Sequence, residues 1–120
     1  MLDHVVIRCS DLEASRRFYE QALEPLGYEV LMTRPAVVGM GVKPKPDFWL
    51  REGTPGDPVH VAFEADRPTV DSFHEAALAG GGRDNGGPGV REIYHPHYYG
   101  AFVLDPDGHN IEAVCHRPSD

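Results

Sequence analysis

Long hydrophobic runs are missing from this 120-residue chain. Its longest apolar stretch, Ala36–Val42, is broken by Gly39 and Gly41, so no segment is expected to span a bilayer. Cysteine is scarce. Cys9 and Cys115 are too few for a disulfide scaffold, and reduced thiols in a cytoplasmic protein are the expectation. No charged-then-apolar leader precedes the first strand, which predicts no secretion signal. Positive charge is in deficit: 11 Lys and Arg face 19 Asp and Glu, a net charge of −8. An acidic chain with no basic cluster is a poor ligand for nucleic acid. Glycine-rich phosphate loops, zincin helices, CxxC pairs and the serine-hydrolase elbow are all absent from the sequence. Nucleotide binding and those hydrolytic chemistries are therefore unsupported.

What is present is a repeat. At an offset of 55 residues Asp11 matches Asp66, Phe18 matches Phe73 and Glu20 matches Glu75. Ala22 likewise matches Ala77, Leu23 matches Leu78 and Gly27 matches Gly82. Upstream, Asp3-His4-Val5-Val6-Ile7 parallels Val59-His60-Val61-Ala62-Phe63. The length suits one domain over residues 1–120. The repeat divides it into modules of about 1–55 and 56–120. A hydrophobic content of 41% is enough for a core.

Each module opens on a strand rich in β-branched residues, Leu2–Cys9 and Val59–Ala65. A helix follows each. Ser10 or Asp11 caps the first, whose apolar positions run from Leu12 to Leu26, and Gly27 ends it. Pro68 suits the first turn of the second, with Val70, Phe73, Ala77 and Leu78 as its buried stripe and Gly80–Gly82 as its stop. Extended segments are then expected at Tyr28–Thr33, Val37–Val42 and Asp47–Arg51. In the second half they fall at Gly89–Ile93 (weakly), Tyr98–Leu104 and Asn110–His116. Asp105-Pro106-Asp107-Gly108 is a tight turn. The order is βαβββ twice. This predicts an α+β fold in which helices cover one face of a curved mixed sheet, while the other face forms an open cavity.

Side chains alternate across a strand. Val5/Ile7, Val61/Phe63 and Ile111/Ala113 suit packing under the helices. His4, His60 and Glu112 then face the cavity. A carboxylate in mid-strand needs a cation or strong donors. Two imidazoles and one carboxylate form the ligand set of an open divalent metal site, so His4, His60 and Glu112 are the candidate ligands. The bland alternatives are an exposed His4 and a His60 that hydrogen-bonds in a core. Tyr98 and Tyr99 begin one strand, and one of them must face the cavity. Tyr99 and Glu64 are the candidate acid–base groups. Arg8, Tyr98 and His97 are candidate substrate contacts, although Arg8 and Glu64 could pair with each other and His97 could be solvated. Trp49 is read as packing.

These pieces resemble the vicinal oxygen chelate superfamily, which includes glyoxalase I, fosfomycin and bleomycin resistance proteins and extradiol dioxygenases. The resemblance rests on Leu2-Asp3-His4-Val5, Ser10-Asp11-Leu12, Phe18-Tyr19, Val59-His60-Val61-Ala62-Phe63 and Asp105-Pro-Asp-Gly-His-Asn-Ile-Glu112. It covers nearly the whole chain. By resemblance His4, His60 and Glu112 are the metal ligands, and the cofactor is one divalent ion (Fe, Zn, Ni, Mn or Co). The resemblance implies a glyoxalase-like lyase or isomerase acting on a small substrate that chelates the metal through adjacent oxygens. It leaves open an Fe(II)-dependent extradiol-type dioxygenase, or a small-molecule binding or resistance protein without turnover. Glyoxalase I usually adds a fourth ligand from the fourth strand, but here Asp47-Phe-Trp-Leu-Arg51 is apolar in its middle, which favours three ligands. A homodimer is expected, with His4 and the His60/Glu112 pair on different subunits if the site is shared.

Overall fold

Both helices begin where the repeat predicts, each on an aspartate whose side chain satisfies a backbone N–H left free in the first turn. Asp11 accepts from the Ala14 N–H at 3.1 Å, and Asp66 from that of Thr69 at 2.9 Å. A computed structural model of the chain describes residues 1–119. The elements are β1 (Val5–Cys9), α1 (Leu12–Ala22), β2 (Glu29–Arg34), β3 (Val37–Gly41), β4 (Phe48–Glu52), β5 (His60–Glu64), α2 (Arg67–Ala79), β6 (Arg83–Asp84), β7 (Gly89–Val90), β8 (Tyr99–Leu104) and β9 (Asn110–Cys115). α1 is shorter than its apolar pattern suggests. The α-helix stops at Ala22, and Glu24–Leu26 form a 3-10 turn containing Pro25, closed by Gly27 at φ 83°. Proline cannot donate to the preceding turn, and glycine meets no penalty in the left-handed region. Leu78 is 37% exposed, outside the predicted stripe. Its neighbour Ala77 takes the buried position, and successive helical residues point about 100° apart.

The expected single curved sheet is divided in two. One sheet has the order β1-β4-β3-β2, and the other β5-β9-β8-β6 with β7 also on β8. Each is mixed: β1 runs parallel to β4 and β5 parallel to β9, while the hairpin pairs are antiparallel. The helices lie against each other, and α2 lies against β8 and β9. Ile7, Cys9, Phe63, Ile111 and Ala113 point under the helices and are buried, as alternation requires.

The core is common to both modules. Tyr19 meets Phe48 edge-on at 4.9 Å, and Phe48 meets Phe63 at 5.4 Å, which carries aromatic contact from the first half into the second. Gly82 sits where a Cβ would come within 2.4 Å of Val103 and 2.5 Å of Phe18. Its missing side chain permits that close approach.

The Asp105-Pro-Asp-Gly turn does more than reverse the chain. Asp105 is buried and accepts from the Tyr19 hydroxyl at 2.5 Å and from the N–H groups of Asp107 and His109, each at 2.9 Å. Asp107 accepts from Ser10, and His109 Nδ1 accepts from the Val59 N–H. That bond fixes the tautomer, so His109 Nε2 carries the proton and donates to the Arg8 carbonyl at 3.0 Å. The turn therefore clamps the C-terminal end of β1 to the N-terminal ends of β5 and β9.

Both cysteines are free and buried. Burial pushes the Cys9 thiol up to about 11, so almost none is thiolate at neutral pH. In a Cys115→Ser background, alkylation of Cys9 at pH 8 should be at least about a hundredfold slower in the native protein than in denaturant. Equal rates would show the thiol to be accessible.

Candidate metal centre

Glu112 lies mid-strand in β9, on the face turned away from the helices. Its register partners are Ala62 on β5 and Phe102 on β8. Paired residues share a face, so His60, Ala62, Glu64, Phe102, Glu112 and, one step beyond β8, Tyr98 all project to the same side. The Glu112 side chain is 1% exposed, whereas that of His60 is 51% exposed.

A carboxyl group this buried must find hydrogen-bond partners. His60 Nε2 lies 2.8 Å from Glu112 Oε1, and the Tyr98 hydroxyl donates to Oε2. Burial and the adjacent carboxylate both raise the Tyr98 phenol well above its ordinary range, so it stays protonated and remains a donor at neutral pH. Gly100 makes this reach possible. A Cβ there would sit 3.1 Å from Glu112 Oε2 and 3.2 Å from the Tyr98 ring.

Two ligand atoms at about 2.1 Å from one cation and at right angles lie about 3.0 Å apart. The His60–Glu112 separation therefore suits one edge of a coordination polyhedron. The donor set fits a divalent metal, but it is incomplete. Among the described residues of the single chain, no three His, Cys, Asp or Glu side chains gather as a metal-holding group.

His4 is the candidate left out. It is half exposed and its Nδ1 lies 2.7 Å from Asp3 Oδ1. The clamp at His109 explains why. It fastens the Arg8 end of β1 beside Val59, at the His60 end of β5. At the other end, Leu2–Val5 share a depression of about 190 Å³ with Val61, Ala62 and Phe63. The two strands thus run in opposite directions. His4 immediately precedes β1 and His60 opens β5, so they stand at opposite ends, separated by about 13 Å of strand. Among the described residues, the three candidate ligands do not gather around one open cavity.

The other site candidates divide by face. Tyr99 points the opposite way from Glu112: its hydroxyl donates to Asp71 on α2 at 2.5 Å, and the Arg67 guanidinium lies 4.8 Å over its ring. Tyr98 takes the place at Glu112 expected of one of the pair. Glu64 and Arg8 are both exposed, at opposite ends of the antiparallel strands, and no ion pair joins them among the described residues. His97 is exposed in its loop, where its backbone N–H donates to His95 Nδ1. Trp49 covers Gly39 on the open face of the first sheet. Sequence reasoning missed Arg91 and Phe102, which line the same face as Glu112. The hairpin register could have found Phe102 and chosen Tyr98. Counting back from the Asp105–Gly108 turn pairs Leu104 with Asn110 and Phe102 with Glu112.

Comparison with solved structures finds the same architecture elsewhere. A glyoxalase/bleomycin resistance protein from Albidiferax ferrireducens T118 is 29% identical, with 98% of this chain and 99% of that one aligned and a TM-score of 0.83. A glyoxalase/bleomycin resistance protein/dioxygenase family enzyme from Burkholderia phytofirmans PsJN is 21% identical, with 96% and 98% aligned and a TM-score of 0.75. No curated protein matches the chain. The family model described as Glyoxalase/Bleomycin resistance protein/Dioxygenase superfamily matches residues 1–113, and the chain belongs to that superfamily.

Proposed function

We propose that this protein is a divalent-metal-dependent enzyme of the glyoxalase-like lyase or isomerase type, acting on a small substrate that presents two adjacent oxygens. In this reading it works as a homodimer. His60 and Glu112 of one chain hold the ion together with His4 of a second copy. The observation that carries the reading is the buried Glu112 carboxylate with His60 Nε2 at 2.8 Å, a pair of donors spaced for one cation. Membership of a superfamily whose members usually hold a divalent metal supports it. The antiparallel course of β1 and β5 supports sharing, because it sets His4 and His60 at opposite ends of the two strands.

When bound, a divalent ion supplies Lewis-acid polarisation of the substrate oxygens. The chain's own residues supply the rest. Tyr98 holds Glu112 Oε2, which leaves Oε1 on the side of His60. Its phenol keeps its proton and donates a hydrogen bond to the carboxylate, which holds Glu112 in one orientation. Glu64 lies on the same face but at the far end of β5 from His60, so it is not assigned the role of base. No helix among the described residues is long and apolar enough to cross a membrane.

Titration of metal-stripped protein tests the reading. About one divalent ion per chain should bind, and sedimentation should give a dimer. Absence of uptake at saturating metal would remove the enzyme proposal. A stable monomer that still binds metal would remove only the shared site.

A further inference from the structure

Arg91 occupies an unusual place for a cation in so acidic a chain. Its backbone N–H donates to the Tyr98 carbonyl at 2.7 Å, one step beyond the Val90–Tyr99 pair of β7 and β8. It therefore lies on the face that carries Tyr98 and Glu112. Its guanidinium carbon stands 5.4 Å from the Phe102 ring centroid, and Phe102 is the cross-strand partner of Glu112. Nη1 donates to the Gly89 carbonyl at 2.9 Å and Nη2 to the Gly87 carbonyl at 2.7 Å. Gly86, at φ 143°, has no Cβ to push against Nη2 and Phe102, which would lie 3.0 and 3.1 Å away.

The side chain is thus fixed by two carbonyls and an aromatic face, but its charge is not neutralised. Among the described residues no carboxylate comes within ion-pair distance of it. Two of its five N–H groups are used, which leaves three free. A guanidinium held in one orientation loses little entropy on binding an anion and can meet a carboxylate with two parallel hydrogen bonds. The protein's net charge of −8 repels small anions at long range, so a local cation is needed if the substrate is anionic.

We infer that Arg91 is the recognition element for a carboxylate on the substrate, so that the substrate class is a small carboxylate bearing two adjacent oxygens elsewhere in the molecule. This rests on the reading of His60 and Glu112 as metal ligands. It goes beyond that reading by assigning a charge to the substrate and a residue to that charge.

The test uses the full-length protein loaded with Zn2+, which has no redox chemistry of its own, and two probes with the same oxygen pair. Catechol is neutral and 3,4-dihydroxybenzoate adds one carboxylate. The native protein should bind the carboxylated probe about tenfold more tightly. Arg91→Gln should remove that preference and change catechol affinity less than about twofold, while Arg91→Lys should keep part of it. Equal affinity of the two probes for the native protein, or failure of both to bind with Zn2+ on board, overturns the inference. An equal loss of both probes in Arg91→Gln also overturns it, because the residue would then be only a staple of the Gly86–Arg91 loop. The Zn2+ titration that precedes the probes separates the two failures: if no Zn2+ binds, the metal reading itself has failed.

Discussion

Glu112→Ala should abolish metal uptake, with at least a hundredfold loss of affinity (roughly 2.7 kcal/mol). The carboxylate is the only charged donor of the proposed set, and it lies in a site where nothing else can replace it. Glu112→Gln keeps the volume and the hydrogen bond from Tyr98, so it separates loss of the ligand from loss of packing. His4→Ala should be equally severe for metal binding and nearly neutral for stability, because His4 is half exposed. Mixing the two inactive variants gives the sharper result. In a shared site, a mixed dimer combines His4 from the Glu112→Ala chain with His60 and Glu112 from the His4→Ala chain. Random exchange makes half the dimers mixed, each with one intact site of two, so metal binding should return to about a quarter of the native level. Equilibrium dialysis of the mixture after subunit exchange measures this. No recovery, with exchange confirmed, would remove the shared site.

Asp105→Ala should cost about 3–5 kcal/mol of stability. The loss is large because three donors lose their acceptor together: the Tyr19 hydroxyl and the N–H groups of Asp107 and His109. Asp105 is 2% exposed and Tyr19 is fully buried, so water cannot replace the lost bond to the hydroxyl. The turn that carries Asp107 and His109 also loses its anchor, and with it the junction between modules. For a domain of this size the loss corresponds to a fall in Tm of about 10–20 °C. Tyr19→Phe, which removes one donor and keeps the ring, should cost only about 1–2 kcal/mol. Urea unfolding of both variants checks the ordering. A loss below about 1 kcal/mol for Asp105→Ala would mean that the clamp contributes little.

The repeat was legible in the sequence because both modules solve the same local problem. An aspartate caps each helix, Phe18 and Phe73 fill equivalent positions, and alternation sends Ile7, Phe63, Ile111 and Ala113 to one face and His4, His60 and Glu112 to the other. These choices depend on neighbours a few residues away, so local periodicity carries them. The pairing of His60 with Glu112 was also within reach, since parallel strands of one module hold both. The choice between Tyr98 and Tyr99 needed the β8–β9 register, and with it the strand pairing.

The sequence by itself determined the two modules, the faces of their strands and the residue types offered to a cation. Tertiary structure alone decided how one module lies against the other. That arrangement depends on contacts between residues about fifty to a hundred positions apart, such as His109 with Arg8 and Asp105 with Tyr19, and periodicity within a strand or helix contains no trace of them. Because these contacts set β1 antiparallel to β5, His4 and His60 stand at opposite ends. The three candidate ligands that alternation placed on one face therefore do not gather among the described residues of one chain. Strand pairing within the second module brought Arg91 beside Phe102, the register partner of Glu112, a cation with no local signature that marks the charge of what the site is proposed to bind.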